Sequence, residues 1–100
     1  MVKLIALYKT PADVKEFEKH YFEVHMPLVE KMPGLLKSEV SMLTDMPGAE
    51  SKYHMMAEMY FENMDKLNES MASAEGRAAG KDLMGFAKDY VFMMFGEVKG

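Results

Sequence analysis

Two segments of this chain are apolar on both parities, and this limits its possible folds more than any other feature. Residues 2–9, VKLIALYK, put Val2, Leu4, Ala6 and Tyr8 on one side of an extended strand and Ile5 and Leu7 on the other. Residues 90–98, YVFMMFGEV, are apolar on both sides as well. Strands of this kind are covered on two faces, not one. Residues 52–62, KYHMMAEMYFE, differ: the odd positions Tyr53, Met55, Ala57, Met59 and Phe61 are wholly apolar. The even positions His54, Met56, Glu58 and Tyr60 are mixed. Residues 35–46, LLKSEVSMLTDM, are more polar and suit an edge strand, joined through a PGAES turn at 47–51 to the strand that follows.

Two helical regions interrupt these strands. After Thr10-Pro11, either Thr10 or Asp13 can cap a helix whose stripe is Val14, Phe17, Tyr21, Val24, His25 and Leu28. Pro27 lacks an N–H and disfavours helical geometry at Met26, so a break or kink is expected near residues 24–27. Pro33-Gly34 ends the region. Asn63 is a candidate cap for a second helix striped by Met64, Leu67 and Met71, and Ser73 restarts a helical segment. Gly76, Gly80 and Gly85 each weaken a helix by about 1 kcal/mol relative to alanine, so short, broken helices are expected there.

The order βαββαβ predicts an α+β, ferredoxin-like fold: one antiparallel four-stranded sheet, its first and third strands central, with both helical regions on one face. The other face would then be left apolar and open. Monomers seldom expose more than a few hundred Å² of such surface, so a homodimer through sheet-to-sheet packing is expected. One domain spanning 1–100 accounts for the length.

Composition removes several functions. A net charge of −4 without a basic patch argues against nucleic acid. The absence of cysteine excludes thiol chemistry and disulfides. No secretory segment or membrane-spanning run is visible, so a cytoplasmic protein without membrane contact is expected. The 13 methionines suit core filling first and an adaptable pocket lining second.

His20 and His25 are the most suggestive pair. Five residues apart, they diverge by roughly 140° on an ideal α-helix. No metal site is therefore expected. His20 falls on the charged face and reads as a solvated histidine. Two readings of His25 stand side by side. It satisfies a carbonyl freed by Pro27, or it is a neutral imidazole at the mouth of a cavity, able to donate a hydrogen bond or move a proton. His54 and Glu58 share a strand face about 13 Å apart, where they either line one cavity or meet the dimer seam. No Ser-His-acid order, phosphate loop or close acid pair is present.

HYFEVHMPLVEKMPGL, residues 20–35, resembles the hallmark of the EthD family of dimeric α/β-barrel proteins. The opening strand, YHMMAEMYF, SAEGRAAGKDLMGFA and FMMFGEV fall in matching order. The resemblance implies a ferredoxin-like homodimer whose sheets form a barrel. Relatives in that superfamily include cofactor-free monooxygenases, lactone isomerases and haem-binding members. It assigns His25 and His54 as candidate acid–base residues. Phe17, Tyr21, Leu28 and Tyr60 are expected to shape the site. Ser38 stands where many relatives carry an aromatic residue.

The expected function is the binding of a small oxygenated hydrophobic molecule between sheet and helices, without a cofactor. Proton-transfer chemistry of an isomerase, cyclase or monooxygenase kind, in a catabolic or biosynthetic pathway, would follow. A non-catalytic carrier or stress-related binding protein, and a haem-binding protein, are the alternatives.

Overall fold

The computed structural model describes residues 1–49 and 52–100. Its strands are β1 (Val2–Lys9), β2 (Lys37–Met42), β3 (Tyr53–Phe61) and β4 (Val91–Glu97). All neighbouring pairs are antiparallel, in the order β2-β3-β1-β4. The helices are α1 (Val14–His20), α2 (Met26–Glu30), α3 (Met64–Ala72) and α4 (Ala74–Phe86), with a π-helical turn over Tyr21–His25 between α1 and α2. This is the ferredoxin-like α+β arrangement. Pro47 and Gly48 form a turn, and the rest of the expected 47–51 turn, Glu50 and Ser51, lies outside the described residues.

Burial follows the strand parities in β1 and β3 but not in β4, expected to be covered on two faces: it is an edge strand whose Met93 and Phe95, on the helix side, are exposed like Phe92 and Met94. Val2, Leu4, Ala6 and Tyr8 of β1 pair with Phe61, Met59, Ala57 and Met55 of β3, and all eight are buried under the helices. Ile5, Leu7 and Met56 occupy the opposite face and are half-buried. Phe92 and Met94 of β4 register with Leu7 and Ile5 on that face and are exposed. The apolar surface there is not continuous. Toward the β2 side of the face Lys3 pairs with Glu58, and Lys3 and Lys37 both lie over the Tyr60 ring. Hydrogen bonds from Lys37 and Tyr60 hold the Glu39 carboxyl below its usual range.

One register shift changes the expected parities. Tyr8 pairs with Met55 but Lys9 pairs with Tyr53, so His54 has no counterpart on β1. A bulge of this kind re-aims the side chains around it. Tyr53 now shares the open face, 6.4 Å from the Phe92 ring, while His54 turns toward α1 and contacts Phe17 and Glu18.

The helices also depart from expectation. Asp13 is the cap of α1, accepting the Glu16 N–H. The expected break or kink near residues 24–27 takes the form of a π-helical interruption over Tyr21–His25, with the chain remaining helical on both sides. The chain widens into the π turn, with Met26 N–H bonded to Tyr21 O, and Pro27 lies in the first turn of α2, where a missing N–H is tolerated. Val24 consequently leaves the buried stripe and is exposed, and the stripe becomes Phe17, Tyr21, His25, Val29 and Met32. Helix α4 runs unbroken through Gly76, Gly80 and Gly85. Buried Ala79 and Leu83 anchor it, and Ser73, extended at ψ 164°, caps it through the Gly76 N–H.

Gly76 is required for packing. A Cβ there would lie 2.0 Å from the Ser70 carbonyl oxygen of α3, a clash that only backbone movement relieves. At Gly80 a Cβ meets nothing within 4 Å. Gly76→Ala is expected to destabilise by about 1–3 kcal/mol. Gly80→Ala is expected to raise the melting temperature, by up to about 1 kcal/mol of helix propensity. Parallel thermal melts check both, and equal effects would contradict this packing.

Candidate functional site

The π turn sets the geometry of the site. In i→i+5 geometry each turn takes more residues, so positions five apart lie nearer to one face than they do on an α-helix. His20 and His25, expected to diverge, therefore converge on one carboxylate of α4. His20 Nε2 lies 2.9 Å from Asp82 Oδ1 and 3.1 Å from Oδ2. His25 Nδ1 lies 3.0 Å from Asp82 Oδ2. The Phe86 ring contacts both imidazoles, with centroids 4.4 Å from His20 and 5.2 Å from His25. His20 is thus an Asp82 partner, not a free surface histidine.

His25 lines a cavity of about 330 Å³ between the sheet and the helices, at the lower end of the range typical of small-molecule sites. Its inner wall is Leu4, Ala6, Tyr8, Tyr21, Val29, Ala57 and Leu83. Six methionines contribute: Met26, Met32, Met59, Met71, Met84 and Met93. Both expected uses of methionine are therefore realised, since Met55, which is not part of the lining, is wholly buried. Ser38 also lines the cavity, and its short side chain leaves space. Among the described lining residues Arg77 is the one lysine or arginine.

The electrostatics define what His25 can do. Burial lowers its pKa, Asp82 opposes that shift by hydrogen bonding and charge, and His20 adds to it. The ring is neutral at physiological pH. With Nδ1–H donated to Asp82, Nε2 carries the lone pair and is the nitrogen left to meet a ligand. A carboxylate that fixes the tautomer of a buried imidazole in this way holds it ready as a base. Burial raises the pKa of Tyr8 and of Tyr21, so both hydroxyls stay protonated and can donate hydrogen bonds.

Of the six expected site residues, the cavity brings together His25 and Tyr21. Phe17 is buried beside Tyr8, its ring centroid 5.3 Å away, but lines a separate outer groove. Leu28 is half-buried against the core outside the cavity lining. Tyr60 lies on the open sheet face. His54, turned by the bulge, bonds Glu18 at 3.3 Å and shares no cavity with His25. Sequence reasoning missed Asp82, Tyr8 and Arg77. Tyr8 was legible as an inward strand residue, whereas Asp82 resembled any helix-surface charge. Among the described residues, no group of three or more His, Cys, Asp or Glu side chains is arranged so that it could hold a metal ion.

The sequence matches the EthD domain family over residues 9–89. It is 30% identical over 95 residues to an uncharacterised 11.0 kDa protein of the thcB–thcC intergenic region in Rhodococcus erythropolis, covering 95% of this chain and 92% of that protein. A crystal structure of an ethyl tert-butyl ether D (EthD) family protein from Bacillus halodurans superposes with a TM-score of 0.95 at 44% identity, covering 99% of each chain. A dimeric protein of unknown function and ferredoxin-like fold from Bacteroides fragilis superposes at 0.66, with 24% identity over 97% of this chain and 95% of that one.

The His25 shift carries a stability consequence. A buried base with a lowered folded pKa contributes stability that is complete above its unfolded value of 6.5. That contribution is lost as pH falls from there through the folded value, because the unfolded chain then binds more protons. Wild type should lose melting temperature over this interval more steeply than His25→Gln. Parallel slopes in melts across the interval would contradict a neutral buried His25.

Proposed function

This chain belongs to the EthD family, and from that premise we propose that it is a single-domain homodimer binding a small oxygenated hydrophobic molecule in the sheet–helix cavity. His25 acts there as a proton acceptor and donor. The observation that carries this reading is the Asp82–His25 pair at a mostly apolar cavity. Asp82 holds Nδ1–H, so Nε2 meets the ligand. Tyr21 and Tyr8 supply hydroxyls to a carbonyl, phenol or lactone oxygen. Removing a proton next to such an oxygen and returning it elsewhere is isomerase- or cyclase-type chemistry, and a positioned base of this kind contributes about 10²–10⁴-fold. Loss of the proton from an electron-rich phenol is the first step a cofactor-free monooxygenase would need.

A carrier function is favoured by one feature. Among the described lining residues no nucleophile is paired with a base, so binding without turnover fits the same walls. Product analysis separates the two readings.

The dimer seam belongs to the face opposite the cavity. Ile5, Leu7, Met56, Phe92 and Met94 form its apolar part, and dimeric ferredoxin-like relatives support an assembly of this kind. Sheet-to-sheet packing would bury them and leave each cavity in its own subunit. Sedimentation at micromolar concentration should give twice the chain mass, and Met94→Glu with Leu7→Glu should give a folded monomer. A single-chain mass for wild type would contradict it.

The function is tested by melting shifts across phenols, lactones and quinones. A ligand at 100 times its Kd should add about 2.7 kcal/mol of stability. His25→Ala should reduce that shift and abolish any turnover. A ligand that stabilises wild type and His25→Ala equally would overturn the role of His25.

A further inference from the structure

Resting on the reading that His25 takes a ligand proton, we propose that His20 is a positioning residue. It balances that proton through Asp82 and releases an equivalent one on the opposite side of the helix layer.

The geometry places the three groups across a wall between two spaces. His25 lines the inner cavity and its side chain is 7% exposed. His20 lines an outer groove of about 280 Å³ and its side chain is 32% exposed. Asp82, at 17%, lies between them. Phe86 packs on both rings and also lines the groove. A ligand filling the apolar cavity excludes the water that would otherwise take a proton from His25. Release of a different proton on the groove side keeps the charge of the trio unchanged while a ligand fills the cavity.

Both imidazoles give an N–H to Asp82, so each keeps its other nitrogen for exchange: Nε2 of His25, a residue of the cavity wall, and Nδ1 of His20, a residue of the groove wall. One carboxylate compensates one imidazolium. The exchange is defined for the state in which His20 is the imidazolium, Asp82 the carboxylate and His25 neutral with its proton on Nδ1. A ligand C–H or O–H breaks, its electron pair stays on the ligand, and the proton binds His25 Nε2. Two cations now share Asp82, and His20 gives its Nδ1 proton to water in the groove. The trio still carries one carboxylate and one imidazolium, and neither hydrogen bond to Asp82 has broken. No proton crosses Asp82 itself, because the coupling is electrostatic. The other titratable or charged groups lining the two spaces are Tyr8, Tyr21, Glu39 and Arg77 on the cavity side and Asp13, Glu16 and Tyr90 on the groove side.

The test follows the three histidine rings by NMR through a pH titration of the free protein. In His20→Gln the His25 midpoint should rise. In His20→Arg, which keeps a fixed cation beside Asp82, it should stay at or below the wild-type value. Loss of packing on Phe86 alone would not make the two substitutions diverge. Equal His25 midpoints in the two variants would overturn the inference. A second measurement uses intact wild type with 4-nitrophenol, by calorimetry in two buffers of different ionisation enthalpy, below the measured His20 midpoint. Binding should release about one proton to solvent in wild type and none in His20→Gln. Equal release in both proteins would overturn the inference. The midpoints need no ligand, so absence of binding across the ligand panel, which defeats the proposed function, is distinguishable from absence of coupling.

Discussion

The site depends on one turn of helix widened by one residue. Pro27 cannot donate an N–H, and the preceding turn answers with i→i+5 bonding over Tyr21–His25. That extra residue rotates His25 relative to His20 until a single carboxylate can hold both rings. Asp82 then fixes the His25 tautomer and directs Nε2 away from itself. An uninterrupted α-helix through this segment would separate the two imidazoles, and Asp82 could serve only one of them.

The sheet beneath has two faces with different work. The helix-covered face supplies Leu4, Ala6, Tyr8, Ala57 and Met59 to the cavity. The other face carries Ile5, Leu7, Met56, Phe92 and Met94 beside a charged corner of Lys3, Glu58, Lys37 and Glu39. Strand β1 serves both, which is why it is apolar on both parities. Packing a second sheet against the open face would stiffen the floor of the cavity without occupying it. The helix layer is held close by Gly76, where α4 meets the α3 carbonyls and no side chain fits.

Much of the fold was legible because it rests on local patterns. Strand parities, the Asn63 cap, the Ser73 restart and the central positions of β1 and β3 all follow from short-range periodicity and capping chemistry. The departures come from tertiary packing and from backbone geometry that periodicity does not encode. Three glycines do not break α4, because burial of Ala79 and Leu83 outweighs their propensity cost. A bulge opposite Tyr8 and Lys9 reverses the direction of His54, and strict alternation cannot foresee a bulge. His25 was visible on a buried stripe as one of two readings. Its partner Asp82 lies 57 residues away, and nothing near Asp82 in the sequence distinguishes it from the surface charges around it.

The account stands on His25 Nε2 being the atom that meets the ligand. A crystal structure of the protein with the tightest-binding phenol or lactone tests this most directly. It should show the ligand oxygen, or the carbon beside it, within about 3.2 Å of Nε2, with Nδ1 still bonded to Asp82. A ligand held on the open sheet face, or in the cavity with Nε2 turned away from it, would contradict the account.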